Sequence, residues 1–194
     1  MRDAGPAPLS LADSDTAVLL ETRMTLSLYD LSIPALIRGL ENLSRQIDKA
    51  AAYANEQGID GTEYVQTRLA PDMLNLAGQI QRASDTAKFG GARLSQSQAP
   101  SFADEEATLD DLKQRIAKTV EYLRSVPAET VDGGEKREIR FKAGQRELHF
   151  VADDYVRSFL LPNFYFHLTT AYGLLRHKGV PLGKMDYLGK IQPS

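Results

Sequence analysis

An apolar stripe with the period of an α-helix recurs in four separate stretches of this chain, and that recurrence restricts its fold more than any other feature. In the first stretch Ile33, Leu36, Ile37, Leu40, Leu43 and Ile47 follow the i, i+3, i+4, i+7 rule. Pro34 then falls in the first turn of a helix opening at Ser32, where a missing N–H is tolerated. Gly58 and the pair Asp60-Gly61 supply a stop near Gln57, and a short helical piece is expected over residues 63–69. Met73, Leu76, Ala77, Ile80, Ala83 and Ala87 draw the second long stripe, from Pro71-Asp72 to an expected end at Gly90-Gly91. Residues 94–107 read as a surface connection. Thr108 with Asp111 three residues later reads as a capping box for a third helix carrying Leu109, Leu112, Ile116, Val120 and Leu123 and stopping by Pro127. Helices apolar along one side must bury that side together, so a mainly all-α, up-down four-helix bundle follows.

Between the third and fourth helices the period changes. Ile139 and Phe141, then Leu148 and Phe150, alternate with charged residues around Ala143-Gly144-Gln145, which predicts a small β-hairpin before the last helix. That helix, with Asp153 or Asp154 as its cap, should run through Phe159, Phe164, Leu168, Ala171 and Leu175 to Gly179. Pro162 lies inside it, so a kink or restart is expected there, with 153–161 as a separate helical piece. The aromatic run Phe164-Tyr165-Phe166 reads as core packing, and residues 179–194 as an irregular tail that packs Tyr187 and Leu188 against the bundle. Residues 1–23, with Gly5, Pro6 and Pro8 and little periodicity, read as a disordered N-terminal extension to a domain spanning 24–194.

Bulk properties narrow the function. With 194 residues the chain can build its own core, and its net charge of -3, spread without blocks, offers no footprint for nucleic acid or an anionic membrane. Having no cysteine, it has no thiolate chemistry and no cysteine-based metal site. No apolar run is long enough for a membrane span and no signal peptide is evident, so a cytoplasmic protein is expected. Neither a phosphate-binding glycine loop nor a nucleophile elbow occurs.

The chemistry-bearing residues are therefore polar ones on helix faces. There are three histidines, His149, His167 and His177. The last two stand about 15 Å apart in rise and ~80° apart around a continuous helix, too far to share a metal. Asn163, His167 and Thr170 share one face of the last helix, with Tyr165, Thr169, Tyr172 and Arg176 elsewhere on it. On the second long helix Asp72, Asn75, Gln79 and Arg82 form one row, and Gln81, Asp85 and Lys88 the next. If the two polar faces meet, Asp72 or Asp85 would hold His167 in one tautomer as a general base in a partly buried pocket. On the plainer reading these rows are solvated and Asp85 with Lys88 is an ordinary surface pair.

Three segments carry a family resemblance: MTLSLYDLSIPALIRGLENL (24–43), RLAPDMLNLAGQIQRASDTAK (68–88) and LPNFYFHLTTAYGLLRHKGVPLGKMDYLG (161–189). Together they resemble the DUF1993 family, close to the DinB/YfiT-like superfamily of metalloenzymes. The resemblance implies a four-helix bundle, a homodimer and a start at Met24. It also implies a three-histidine metal site, used by some members for transferase or isomerase chemistry. This sequence has no histidine on its first two long helices, so neither metal nor cofactor is expected. The expected function is binding of a small polar molecule, with Asp72, Gln79, Asn163, His167, Tyr172 and Arg176 as candidate contacts. A metal-dependent transferase or hydrolase and a non-catalytic homodimer are the alternatives.

Overall fold

A computed structural model of the chain describes residues 26–191; the N-terminal extension and the expected start at Met24 lie outside them. Helix α1 spans Leu28–Gln57. Ser27 caps it, its hydroxyl accepting from the Asp30 N–H, and the Tyr29 N–H donates to the Asp132 carboxylate at 2.9 Å. With the start at Leu28 rather than Ser32, Pro34 sits inside the helix and not in its first turn. Its ring is on the exposed side, away from the buried stripe of Ile33, Leu36, Leu40, Leu43 and Ile47. Gly58, in the left-handed region at φ 66°, closes the helix as its spacing implied.

Helix α2 is a single turn, Gly61–Val65, capped by Asp60; it begins and ends earlier than the 63–69 expected from the sequence. Helix α3 covers Leu76–Ser95. It opens three residues after Met73, because the Asn75 side chain accepts from the Gly78 N–H and fixes the start, and it runs straight through Gly90-Gly91. Those glycines serve close packing, not termination: a Cβ on Gly90 would stand 2.5 Å from Leu160 Cδ1, and one on Gly91 3.0 Å from Leu123 Cδ2.

Helix α4, Leu109–Arg124, begins with the capping box read from Thr108 and Asp111. Hydrogen bonds from Thr108 and the Ala107 and Thr108 N–H groups hold the Asp111 carboxyl below its usual pKa. After the short α5 (Ala128–Val131), β1 (Glu138–Ala143) and β2 (Arg146–Val151) form the antiparallel hairpin, closed through Gly144 at φ 60°. Phe141 and Phe150 project from it onto Tyr155 and Phe159.

Helix α6 (Ala152–Tyr155), a π-helical turn over Val156–Leu160 and α7 (Leu161–His177) follow without a break. Neither Asp153 nor Asp154 is the cap. Val151 holds that position, and the first N–H groups go instead to the Arg137 and Glu135 carbonyls. The restart expected at Pro162 takes the form of the π turn, in which the Leu161 N–H reaches back to the Val156 carbonyl. Of the aromatic run, Phe164 is buried, but Tyr165 and Phe166 are exposed and do not pack in the core. The tail contains a further turn, α8 (Lys184–Leu188), held by Asn42 to the Tyr187 carbonyl and Arg38 to the Leu188 carbonyl.

The four long helices form a ring. α1 and α4 run antiparallel, pairing Asp48 with Lys113 and Glu41 with Arg124. α1 and α7 run parallel, Gly39 lying beside Phe164 and Leu168, and Gly179 beside Tyr53. α3 and α4 also run parallel, with Asp85 against Arg115 and Gly91 against Leu123. In chain order the bundle thus runs up, down, down, up. Two consecutive parallel helices need a connection that travels their length, and residues 96–107 are that strap. It lies along α3, with Phe102 beside Lys88, Asp104 beside Arg82 and Glu106 beside Gln81. No helix among the described residues is long and apolar enough to cross a membrane.

Candidate functional site

α3 and α7 run antiparallel, and their seam is polar at one end and apolar at the other. Moving along it, Gly90 receives Leu160, Thr86 meets Asn163, and Gln79 meets His167. The Asn163 amide donates to the Thr86 hydroxyl at 2.8 Å, and Thr86 donates in turn to the Arg82 carbonyl of its own helix at 2.7 Å. His167 Nδ1 and Gln79 Oε1 are 2.8 Å apart. The Gln79 amide nitrogen faces the Leu74 carbonyl at 3.4 Å, which leaves Oε1 as the end turned toward the imidazole.

An amide oxygen only accepts, so this contact requires the proton on Nδ1 and leaves Nε2 as the acceptor nitrogen of the neutral ring. Burial lowers the His167 pKa, and the positive charge of Arg82 lowers it further. The ring is therefore a half-buried neutral imidazole of fixed tautomer, with Phe166 set edge-on against it at 5.2 Å between centroids. It can accept a hydrogen bond or a proton at Nε2.

Of the residues singled out in the sequence, the fold brings together Gln79, Asn163 and His167. Asp72 stands in an exposed turn before α3 and is not on its polar row; Asn75 is the helix cap. Neither Asp72 nor Asp85 orients His167, and Gln79 does so in their place. Tyr172 packs edge-on against Tyr187 on the side of α8, and Arg176 donates to the Val180 carbonyl at 2.9 Å, so both point away from the seam.

The second polar row of α3 has a different fate. Lys88 is only 3 % exposed, as is Arg115 on α4, so Asp85 with Lys88 is not an ordinary surface pair. Asp85 takes Lys88 and Arg115 at 2.9 Å each, while Arg115 also reaches Asp104 at 2.9 Å and Glu106 at 2.8 Å. Lys88 Nζ lies 4.6 Å from the centre of the Phe102 ring. Arg82, Lys88 and Arg115 face Asp85, Asp104 and Glu106, so the charges balance and the network clamps the strap onto the bundle. Arg115 was not singled out in the sequence. Its place between Leu112 and Thr119 on the buried face of α4 is the signal that would have found it.

The superfamily resemblance implies a metal, and the donor set here does not fit one. Among the described residues no three His, Asp or Glu side chains gather to hold an ion. Of the three histidines only His167 lies at the seam, while His149 and His177 are exposed on the hairpin and at the end of α7.

Comparison with known proteins agrees with the fold. The family model described as "Domain of unknown function (DUF1993)" matches residues 28–188. No curated protein matches. Among solved structures, the 1.83 Å crystal structure of a DinB family member protein from Shewanella denitrificans is 38% identical, with a TM-score of 0.78 over 86% of this chain and 94% of that one. The chain belongs to the DUF1993 family and shares the helical fold of the DinB group.

Proposed function

We propose that this protein binds a small polar molecule at the α3–α7 seam, with His167 as the central contact. The observation that carries the reading is the Gln79–His167 pair: a half-buried imidazole held at 2.8 Å through Nδ1 keeps Nε2 as an acceptor. The matching ligand group is a hydroxyl, amide or ammonium donor. Asn163 adds an amide along the same seam. If a reaction follows, proton removal by Nε2 is the step this geometry favours.

A thermal-shift screen of small hydroxylated and amino compounds tests it. His167→Ala should keep the helical circular dichroism and lose the ligand-induced shift, and Gln79→Leu should weaken it. If His167→Ala unfolds the chain, or if the shift survives both substitutions, the seam is a packing feature and the reading fails.

A second reading, a homodimer, is favoured by the outer face of α7. From Leu161 to Leu175 the helix has no Asp, Glu, Lys or Arg. Yet Phe166 is 58% and Tyr165 38% exposed, and open space lies over Gly173. An uncharged face can pair with its own copy about a two-fold axis without bringing like charges together.

A further inference from the structure

At the far end of α3 from His167, a cleft of about 550 Å³ opens between the last turn of that helix and the hairpin. Arg93, Arg137 and Arg140 line it, with the Phe89 ring at its edge and Glu138 as its one carboxylate. In a chain of net charge -3, three guanidinium groups around one cleft are a local reversal of sign. We propose that this cleft is a second binding site, for a small organic anion carrying a phosphate or carboxylate on a flat apolar group.

The arginines differ in how firmly they are held. Arg93 lies over Phe141, its guanidinium carbon 3.9 Å from the ring centre, and donates to the Tyr155 hydroxyl at 3.0 Å. Burial pushes the Tyr155 hydroxyl up in pKa even against that charge, so the phenol stays neutral, and no carboxylate among the described residues pairs with Arg93. Arg137 gives one nitrogen to the Leu94 and Thr130 carbonyls, which also caps the negative end of α3. Among the described residues Arg140 is paired only with Glu138, at 2.6 Å, a surface pair that an incoming anion can replace. A guanidinium has five N–H donors, and Arg93 and Arg140 each spend one on a protein partner among the described residues, which leaves donors for an anion. Phe89 is 40% exposed, with Arg93 set 5.4 Å from its centre, so a flat ligand group has an aromatic surface beside the charge. Arg93 follows Gln79 by fourteen positions on a continuous helix, which puts the cleft about 20 Å from the His167 seam.

Isothermal titration of the full chain with phenyl phosphate, inorganic phosphate and benzyl alcohol tests the assignment. Phenyl phosphate should bind saturably, and more tightly than inorganic phosphate, while benzyl alcohol should not bind. Arg140→Gln and Phe89→Ala alter exposed side chains, so both variants should fold; each should weaken phenyl phosphate about tenfold. His167→Ala should leave that affinity unchanged, which separates this cleft from the seam. No saturation with phenyl phosphate at millimolar concentration, or equal affinity in the parent and both variants, overturns the proposal.

Discussion

His167 shows how a single side chain converts burial into a pH response. Its folded-state pKa lies below the ordinary histidine value of 6.5, because burial and Arg82 both oppose the charged form. When the pH falls below 6.5 the unfolded chain takes up this proton and the folded chain does not, so stability declines until the folded pKa is reached. Above that window the residue has no effect. We expect urea midpoints to fall between about pH 7.5 and 5.5, and His167→Gln to flatten that slope; an unchanged slope in the variant would sink the assignment. The carboxyls held low by hydrogen bonds, Asp60 and Asp111, act in a separate, more acidic range. At this scale the sequence was readable in residue types but not in partners. Spacing put Gln79 and His167 on polar faces, whereas the loss of Asp72 depended on where Asn75 started α3, a cap competition that periodicity does not register. Lys88 read as solvated, and Arg115 went unnoticed, because the strap that buries them has no periodic pattern of its own.

The elements themselves were the most legible part of the chain, since each long helix advertises its apolar stripe. Their ends were less so, and the reason is tertiary. Gly90-Gly91 reads as a stop, but Leu160 and Leu123 occupy the space that side chains would fill, and the helix continues beneath them. The same logic governs Gly39, where a Cβ would lie 2.6 Å from Phe164 Cε1 and 2.8 Å from Leu168 Cδ2. Helix propensity alone makes alanine better than glycine there by about 1 kcal/mol. Overpacking opposes it: both neighbours are buried, and a phenyl ring cannot fold away from the intruding methyl. Gly39→Ala should therefore destabilise the protein by about 1–3 kcal/mol, read from chemical denaturation. Adding Phe164→Leu, which shortens the obstructing ring, should cost less in that background than in the parent. Additive losses would mean that α1 and α7 do not meet as closely as this geometry requires.

The whole molecule is organised by its two parallel contacts, α1 with α7 and α3 with α4. A strap and a buried ion network hold the second pair; α7 has α1 and α3 on its inner sides and, from Leu161 to Leu175, no charged residue of its own, the exposed Arg176 coming only in its last turn. That leaves Phe166 at 58% exposure beside Tyr165 on a face that water solvates poorly. A partner of opposite charge has no counter-charge to find there, whereas a second α7 related by a two-fold axis sets ring against ring and passes over Gly173 without a side chain between. A stable pair needs about 800 Å² from each copy, which one helix face can supply only with help from its flanks, so the association should be weak and concentration-dependent. Sedimentation equilibrium should show the parent moving from monomer to dimer at micromolar concentrations. Phe166→Glu places two like charges across the axis and should leave a monomer with unchanged circular dichroism and an unchanged response at the anion cleft. A parent chain that stays monomeric to about 100 µM, a Kd equivalent to only some 5 kcal/mol, would remove the dimer reading. The α7 face would then be left as ordinary exposed apolar surface, and the seam at His167 would have to function within a single copy.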